Sequence, residues 1–179
     1  MRLKGFGIGH ADDQRLKSGV TVILPDRPAT AAVHVMGGAP GTRETDLLSP
    51  EQMVQTIDAI VLSGGSAFGL DAASGAQAWL REQNRGYPVG EIRVPIVPSA
   101  ICFDLNNGGD KSWGRYPPYR ELGHQAASQT TSSPEEGSVG AGSGATTAGA
   151  AGGFGLAEQT LEDEIVVSAA VVCNAVGSV

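Results

Sequence analysis

The sequence predicts a layered α+β fold, and three observations carry that expectation. The elements come in mixed order: β-prone runs first, one strand–turn–helix unit, then further strands and a helix, without regular βαβ alternation. Glycine supplies 26 of 179 residues. That is about twice the usual share of ~7% and points to close backbone approaches. Aromatic residues make up only 5%, which fits a sheet-rich fold better than a helical bundle.

The elements follow in chain order. "GVTVILP" (Gly19 to Pro25) and "AAVHVMGG" (Ala31 to Gly38) are β-branched runs split by "DRPAT", a hairpin or meander signal. "PGTRETDLLSPEQMV" (Pro40 to Val54) reads as a polar loop leading into a short helix, with Ser49 as its cap and Pro50 at the first helical position. "IDAIVL" (Ile57 to Leu62) is apolar almost throughout and reads as a buried strand. After the turn "SGGS", the residues Phe68, Ala72, Ala76, Trp79 and Leu80 recur at helical spacing, and Gly86 follows their end. Small residues elsewhere on that helix would let it pack close to a neighbour. "IRVPIVPSAICFDL" (Ile92 to Leu105) reads as strand, proline break and second strand or turn, and "YRELGHQAASQT" (Tyr119 to Thr130) as a short helix.

"GSVGAGSGATTAGAAGGFG" (Gly137 to Gly155) has the composition of a flexible linker, yet its lack of charge also suits backbone packed inside a fold. "IVVSAAVVCNAVGSV" closes the sequence as a β-prone segment without turn or polar tail. A terminal apolar strand needs partners on both sides, so the expectation is a chain that forms part of something longer.

Composition bounds the function. With 41% hydrophobic and 17% charged residues, one globular domain over residues 1–179 is expected. A net charge of −7 argues against nucleic acid and against an anionic membrane surface as partners. Cys102 and Cys173 lack metal-like spacing and read as small buried residues in a reducing compartment. "MRLKGFGIGHADD" has no apolar h-region, and Ile165 to Val176 is too short to span a bilayer, so the cytoplasm is the expected location.

Several residues are candidates for chemistry. Ser66 sits at a strand-to-helix bend, but its frame is Gly64-Gly65-Ser66-Ala67-Phe68, and a nucleophile elbow needs glycine where Phe68 stands. His10, His34 and His124 offer no ordered triad partner. Ser66 therefore reads as a helix cap or, with Gly65, as part of a ligand wall whose backbone N–H groups could hold an anion or a carbonyl oxygen. The glycines match neither G-x-G-x-x-G nor the P-loop, so no nucleotide cofactor is expected. "GHADD" (Gly9 to Asp13) offers an imidazole and two carboxylates, which would need further converging ligands to hold a metal, and no metal is expected. Trp113, Tyr116 and Tyr119 form an aromatic, proline-rich loop that would wall a pocket or pack at the surface. Asn174 interrupts an otherwise apolar strand. A buried amide there is either satisfied structurally or aimed at a developing oxyanion.

"GIGHADD" with "GVTVIL", then "IVLSGGSAFGLDAASG", "VPSAICFDL", "GSVGAGSGAT" and "VVCNAVG" occur in this order over nearly the whole chain. Together they resemble the DmpA-type β-aminopeptidases, a family that includes the nylon-oligomer hydrolases. The resemblance implies an N-terminal-nucleophile hydrolase: an α/β/β/α sandwich from a precursor that cleaves itself, whose new N-terminal Ser or Thr on the second (β) chain attacks the substrate. It also implies that these residues are most of the first (α) chain. Asn174 would then stabilise the oxyanion, Phe103 would take the place of an aromatic pocket residue, and Ser66, Gly65 and Ser99 would line the substrate site. Homo-oligomers of αβ units and a small peptide or amide substrate are implied as well. Gly177-Ser178 is set aside as a processing bond, because the family's chain continues past that motif.

Two departures accompany the resemblance. Ser99 stands where aminopeptidase members have a glutamate, and Gly149 where some amide-hydrolysing relatives have a lysine. Lys111 is the nearest lysine in sequence. They leave open a second expectation, a non-catalytic small-molecule-binding protein on the same scaffold.

Overall fold

A computed structural model describes residues 3–174. The strands are β1 (Phe6–Asp13), β2 (Ser18–Pro25), β3 (Thr42–Arg43), β4 (Ile60–Ser63), β5 (Tyr87–Val89), β6 (Ile92–Val94), β7 (Ser99–Ile101), β8 (Gly153–Thr160) and β9 (Val166–Cys173). The helices are α1 (Ala72–Glu82) and α2 (Tyr119–Ser128). Five strands form one mixed sheet in the order β1-β2-β4-β7-β3, in which only β4 and β7 run parallel.

Alternation along the strands assigns the two faces. Val20, Val22 and Val61 point to one side and are fully buried beneath α1 and α2. Each such side chain contributes about 1.5–3 kcal/mol. The helices meet through small residues: a Cβ at Gly75 would overlap the Arg120 carbonyl, and one at Gly123 would overlap that of Ala72. Ala72, Ala76 and Leu80 of the expected helical stripe are fully buried, and Trp79 packs partly against them. Phe68 is half exposed and meets Trp113 edge-on instead.

On the other face, the β8–β9 ribbon lies over β1 and β2, joining Phe154, Leu156, Ala170 and Val172 to Ile8 and Ile23. Helix layer, sheet and ribbon thus realise the layered α+β expectation. β9 pairs with β8 alone among the described residues, and its alternate side chains Val167 and Val171 are exposed. The ribbon does not cover β4 and β7, where Ile60, Leu62 and Ala100 remain half-buried.

Three local expectations are corrected. Ala31 to Met36 forms no strand: Val33, Val35 and Met36 are exposed, and β2 takes β1 and β4 as its neighbours. β-branching supplied the propensity, but both edges of β2 were already occupied. Ser49 caps no helix. A single 3-10 turn, Asp46–Leu48, precedes it, and a turn closed by the Gln52 N–H on the Ser49 carbonyl follows. The glycine-rich stretch is not a linker over its first half, since Gly140, Ala141, Gly142, Gly144 and Ala145 are buried. The alternative reading, backbone packed inside the fold, is the one observed there. The Gly177-Ser178 bond lies outside the described residues.

Candidate active site

The site begins at the turn after β4. Gly65 has φ +84°, and Ser66, the first residue of a 3-10 segment leading into α1, has φ +52°. A serine in the left-handed region costs on the order of 1 kcal/mol, so the surroundings must hold it there. They do so through the segment after β7. The Cys102 N–H donates to the Ser63 carbonyl at 2.9 Å, the Ser66 N–H to the Cys102 carbonyl at 3.0 Å, and the Gly65 N–H to Asp104 Oδ1 at 2.7 Å. The group received at this helix start is thus the protein's own Asp104 side chain. Ser66 makes no capping bond; it begins the helical segment that Gly65 caps.

Asn174 closes the site from the ribbon side, directly after β9. One of the two amide placements pairs both the oxygen and the nitrogen with complementary backbone groups. In it, Oδ1 accepts from the Phe103 N–H at 2.7 Å, while the NH₂ donates to the Phe103 carbonyl at 3.2 Å and the Thr146 carbonyl at 3.1 Å. The opposite placement gives one long contact, Thr146 N–H to Oδ1 at 3.4 Å, and sets amide nitrogen against the Phe103 N–H. Asn174 is therefore half-buried and bonded across the two layers. The Phe103 ring beside it is half exposed.

Asn174, Phe103, Gly65 and Ser66 are thus gathered on one short segment, residues 102–104. Ser99 is not. Its register with Val61 puts it on the helix-covered face, where it is buried and its hydroxyl has no partner among the described residues. A cleft of about 310 Å³ opens on the other face, lined by Leu62, Ala100, Ile101, Cys102, Ala170 and Val172 among others. It carries no charged side chain. Burial, with Asp104 nearby, pushes the Cys102 thiol up to about 12, so it stays neutral and donates to the Ala141 carbonyl at 3.3 Å.

The remaining candidates have structural partners. His10 Nδ1 is 2.9 Å from Thr21 Oγ1, Asp12 Oδ1 accepts from the Gly140 N–H, and Asp13 Oδ1 accepts from the Leu16 N–H. No three His, Cys, Asp or Glu residues converge for a metal among the described residues. Lys111 donates to the Leu16 carbonyl and to Asn107 Oδ1. Trp113 contacts Phe68 and Tyr119 edge-on, with ring centroids 5.4 Å and 6.1 Å apart. Gly149 is exposed with open space around it.

Sequence reasoning missed Asp104, Ser18 and Tyr119 as a buried polar group beneath the turn. Ser18 Oγ donates to Asp104 Oδ2 at 2.5 Å and lies 3.1 Å from the Tyr119 hydroxyl. The available signal was an acid inside "ICFDL", a stretch otherwise apolar.

The fold of a β-aminopeptidase from Burkholderia sp. superposes with a TM-score of 0.75 at 22% identity, over 98% of this chain and 51% of that one. That of an L-aminopeptidase D-Ala-esterase/amidase from Ochrobactrum anthropi, described as a variant of the Ntn-hydrolase fold, gives 0.73 at 20% identity, over 98% and 52%. The architecture is therefore that of an Ntn hydrolase. An uncharacterized aminopeptidase of Mycobacterium tuberculosis (strain ATCC 25618 / H37Rv) is 45% identical over 161 residues, 90% of this chain and 46% of its own length. The family model of peptidase family S58 matches residues 3–179, and the chain belongs to that family. It spans about half the length of the curated relatives it matches. No helix among the described residues is long and apolar enough to cross a membrane.

Proposed function

We propose that this chain is the α subunit of a self-processed amide-bond hydrolase of the aminopeptidase and amidase class. A Ser or Thr at the start of a β chain from the same precursor attacks the substrate carbonyl, and αβ units assemble further in the cytoplasm. The observation that carries this reading is the Asn174 amide, which follows β9 and bonds the backbone of Phe103, the half-exposed aromatic residue next to Cys102 in the lining of an uncharged cleft.

The chemistry follows from what the amide can give. As the nucleophile adds, the carbonyl oxygen gains charge, and a preorganised N–H donor lowers the barrier most where that charge develops. The two NH₂ bonds of Asn174 are 3.1 and 3.2 Å long, at the weak end of the N–H···O range. Exchanging one for a bond to an oxyanion costs little and gains a charge-assisted bond. The α-amino group of the β chain, or a group near it, serves as base. Phe103 and the Gly65–Ser66 turn wall the substrate. Ser99, on the helix-covered face, neither holds nor excludes a free ammonium of the substrate.

The test uses the full-length product. Intact-mass measurement should find two fragments, the second beginning with Ser or Thr. Asn174→Ala should cost about 10²-fold or more in turnover while leaving the fold intact. One observation favours a second reading, a non-catalytic binding protein: both amide hydrogens of Asn174 already meet backbone carbonyls. A single uncleaved polypeptide would decide for it.

A further inference from the structure

Asp104 is buried, yet no step above uses it. Each of its oxygens takes one hydrogen bond, Oδ1 from the Gly65 N–H at 2.7 Å and Oδ2 from Ser18 at 2.5 Å. Ser18 in turn meets the hydroxyl of Tyr119, the fully buried first residue of α2. A buried carboxyl group is tolerated only when its oxygens are satisfied. Here the donors are a backbone amide and a hydroxyl, and no Lys or Arg hydrogen-bonds to it among the described residues.

Both glycine-rich motifs of the sequence converge on this one side chain. A Cβ at Gly64 would overlap Asp104 Oδ2, and one at Gly144 would stand 2.8 Å from the same oxygen. The residue before Asp104 is Phe103, whose backbone N–H and carbonyl are the groups Asn174 grips. This dipeptide is held from the ribbon by Asn174 and from the helix side by Asp104. Successive Cα atoms lie about 3.8 Å apart across a rigid peptide, so displacement of one residue passes to the other.

We propose that Asp104 is a positioning residue of this site: by tying Phe103–Asp104 to the Gly64–Gly65 turn and to α2, it sets where the Asn174 amide points. The proposal rests on the reading of Asn174 as the oxyanion donor. It assigns Asp104 no contact with substrate. Its effect runs through the Phe103 backbone, and a donor displaced by about 1 Å can cost as much as 10²-fold in rate.

The experiment is a double-mutant cycle in the full-length, processed protein, with alanine p-nitroanilide as the probe. Asp104→Ala should lower kcat by about 10-fold or more while KM stays within about twofold. Asp104→Asn, which can still accept from the Gly65 N–H, should recover most of that loss. In the Asn174→Ala background, Asp104→Ala should cost less than about threefold further, because its effect passes through the missing amide. Should Asp104→Ala fail to fold, Ser18→Ala, which removes only the Oδ2 bond, carries the same cycle. Turnover of Asp104→Ala within about twofold of wild type overturns the proposal, as does full multiplication of the two losses in the double variant. Wild-type turnover by Asn174→Ala overturns the donor reading and this proposal together.

Discussion

Gly65→Ala is a substitution whose cost can be worked from the turn itself. Residue 65 has φ +84°, a left-handed conformation that costs an L-residue about 1–2 kcal/mol. The added Cβ would also overlap the ring and hydroxyl of Tyr119, which is fully buried. Forcing a methyl into a packed core costs about 1–3 kcal/mol. If the ring moves, its bond with Ser18 is strained as well, at about 1 kcal/mol. The expected loss is therefore about 4 kcal/mol, read as the apparent unfolding free energy in urea. Gly90→Ala is the control, because Gly90 has φ +59° with no atom within 4 Å of its missing Cβ. It should lose only the backbone part, about 1–2 kcal/mol. If the two variants lose the same amount within about 1 kcal/mol, the packing of Tyr119 against the turn has been misjudged.

Other outcomes follow from the same structure. With its thiol held near 12, Cys102 should resist iodoacetamide at pH 8 in the folded protein and react once urea unfolds it, as peptide mass mapping would show. Burial also raises the Tyr119 hydroxyl, so between the unfolded and folded values both groups bind protons more tightly when folded. Stability should therefore fall as pH rises above about 9, in urea titrations at pH 8 and 10. Burial lowers His10, with Glu135 opposing the shift, so the unfolded chain takes up a proton near pH 6.5 that the folded chain refuses. Stability should drop from pH 7.5 to 5.5, and His10→Gln should flatten that slope. Arg43 bonds Ser74 and Gln77 of α1 at 2.8 Å each, and Arg43→Ala should cost about 1–2 kcal/mol. Arg15→Ala, which breaks an exposed ion pair with Asp110, should leave the urea midpoint unchanged.

Periodicity made β2, β4, β7 and both helices legible, because each buries one face or both and its apolar spacing records that. β1 was harder to see. Its helix-side positions include Gly7 and Gly9, which make room for α2 and the segment after it, so "FGIGHADD" shows little apolar alternation. Ala31 to Met36 misled in the other direction, since propensity does not say whether a neighbour has an edge to spare. At the site, Asn174 stands out as an amide in an apolar run, whereas its partner Phe103 lies 71 positions earlier in the chain, a separation that no local pattern bridges. Asp104 carries no local signal beyond its charge within "ICFDL", because its partners Ser18 and Gly65 come from two other parts of the chain.

The Asn174 contact has a consequence for the evolution of such a chain. It is a clasp between the sheet and the ribbon, whose spacing is set by what lies between them, and the ribbon's spacers include Leu156, Val172 and, smallest, Ala170. Enlarging one of them by a methyl or two would pry sheet and ribbon apart at the hinge of the clasp. Activity could then be tuned, or lost, by substitutions that never touch a reacting group.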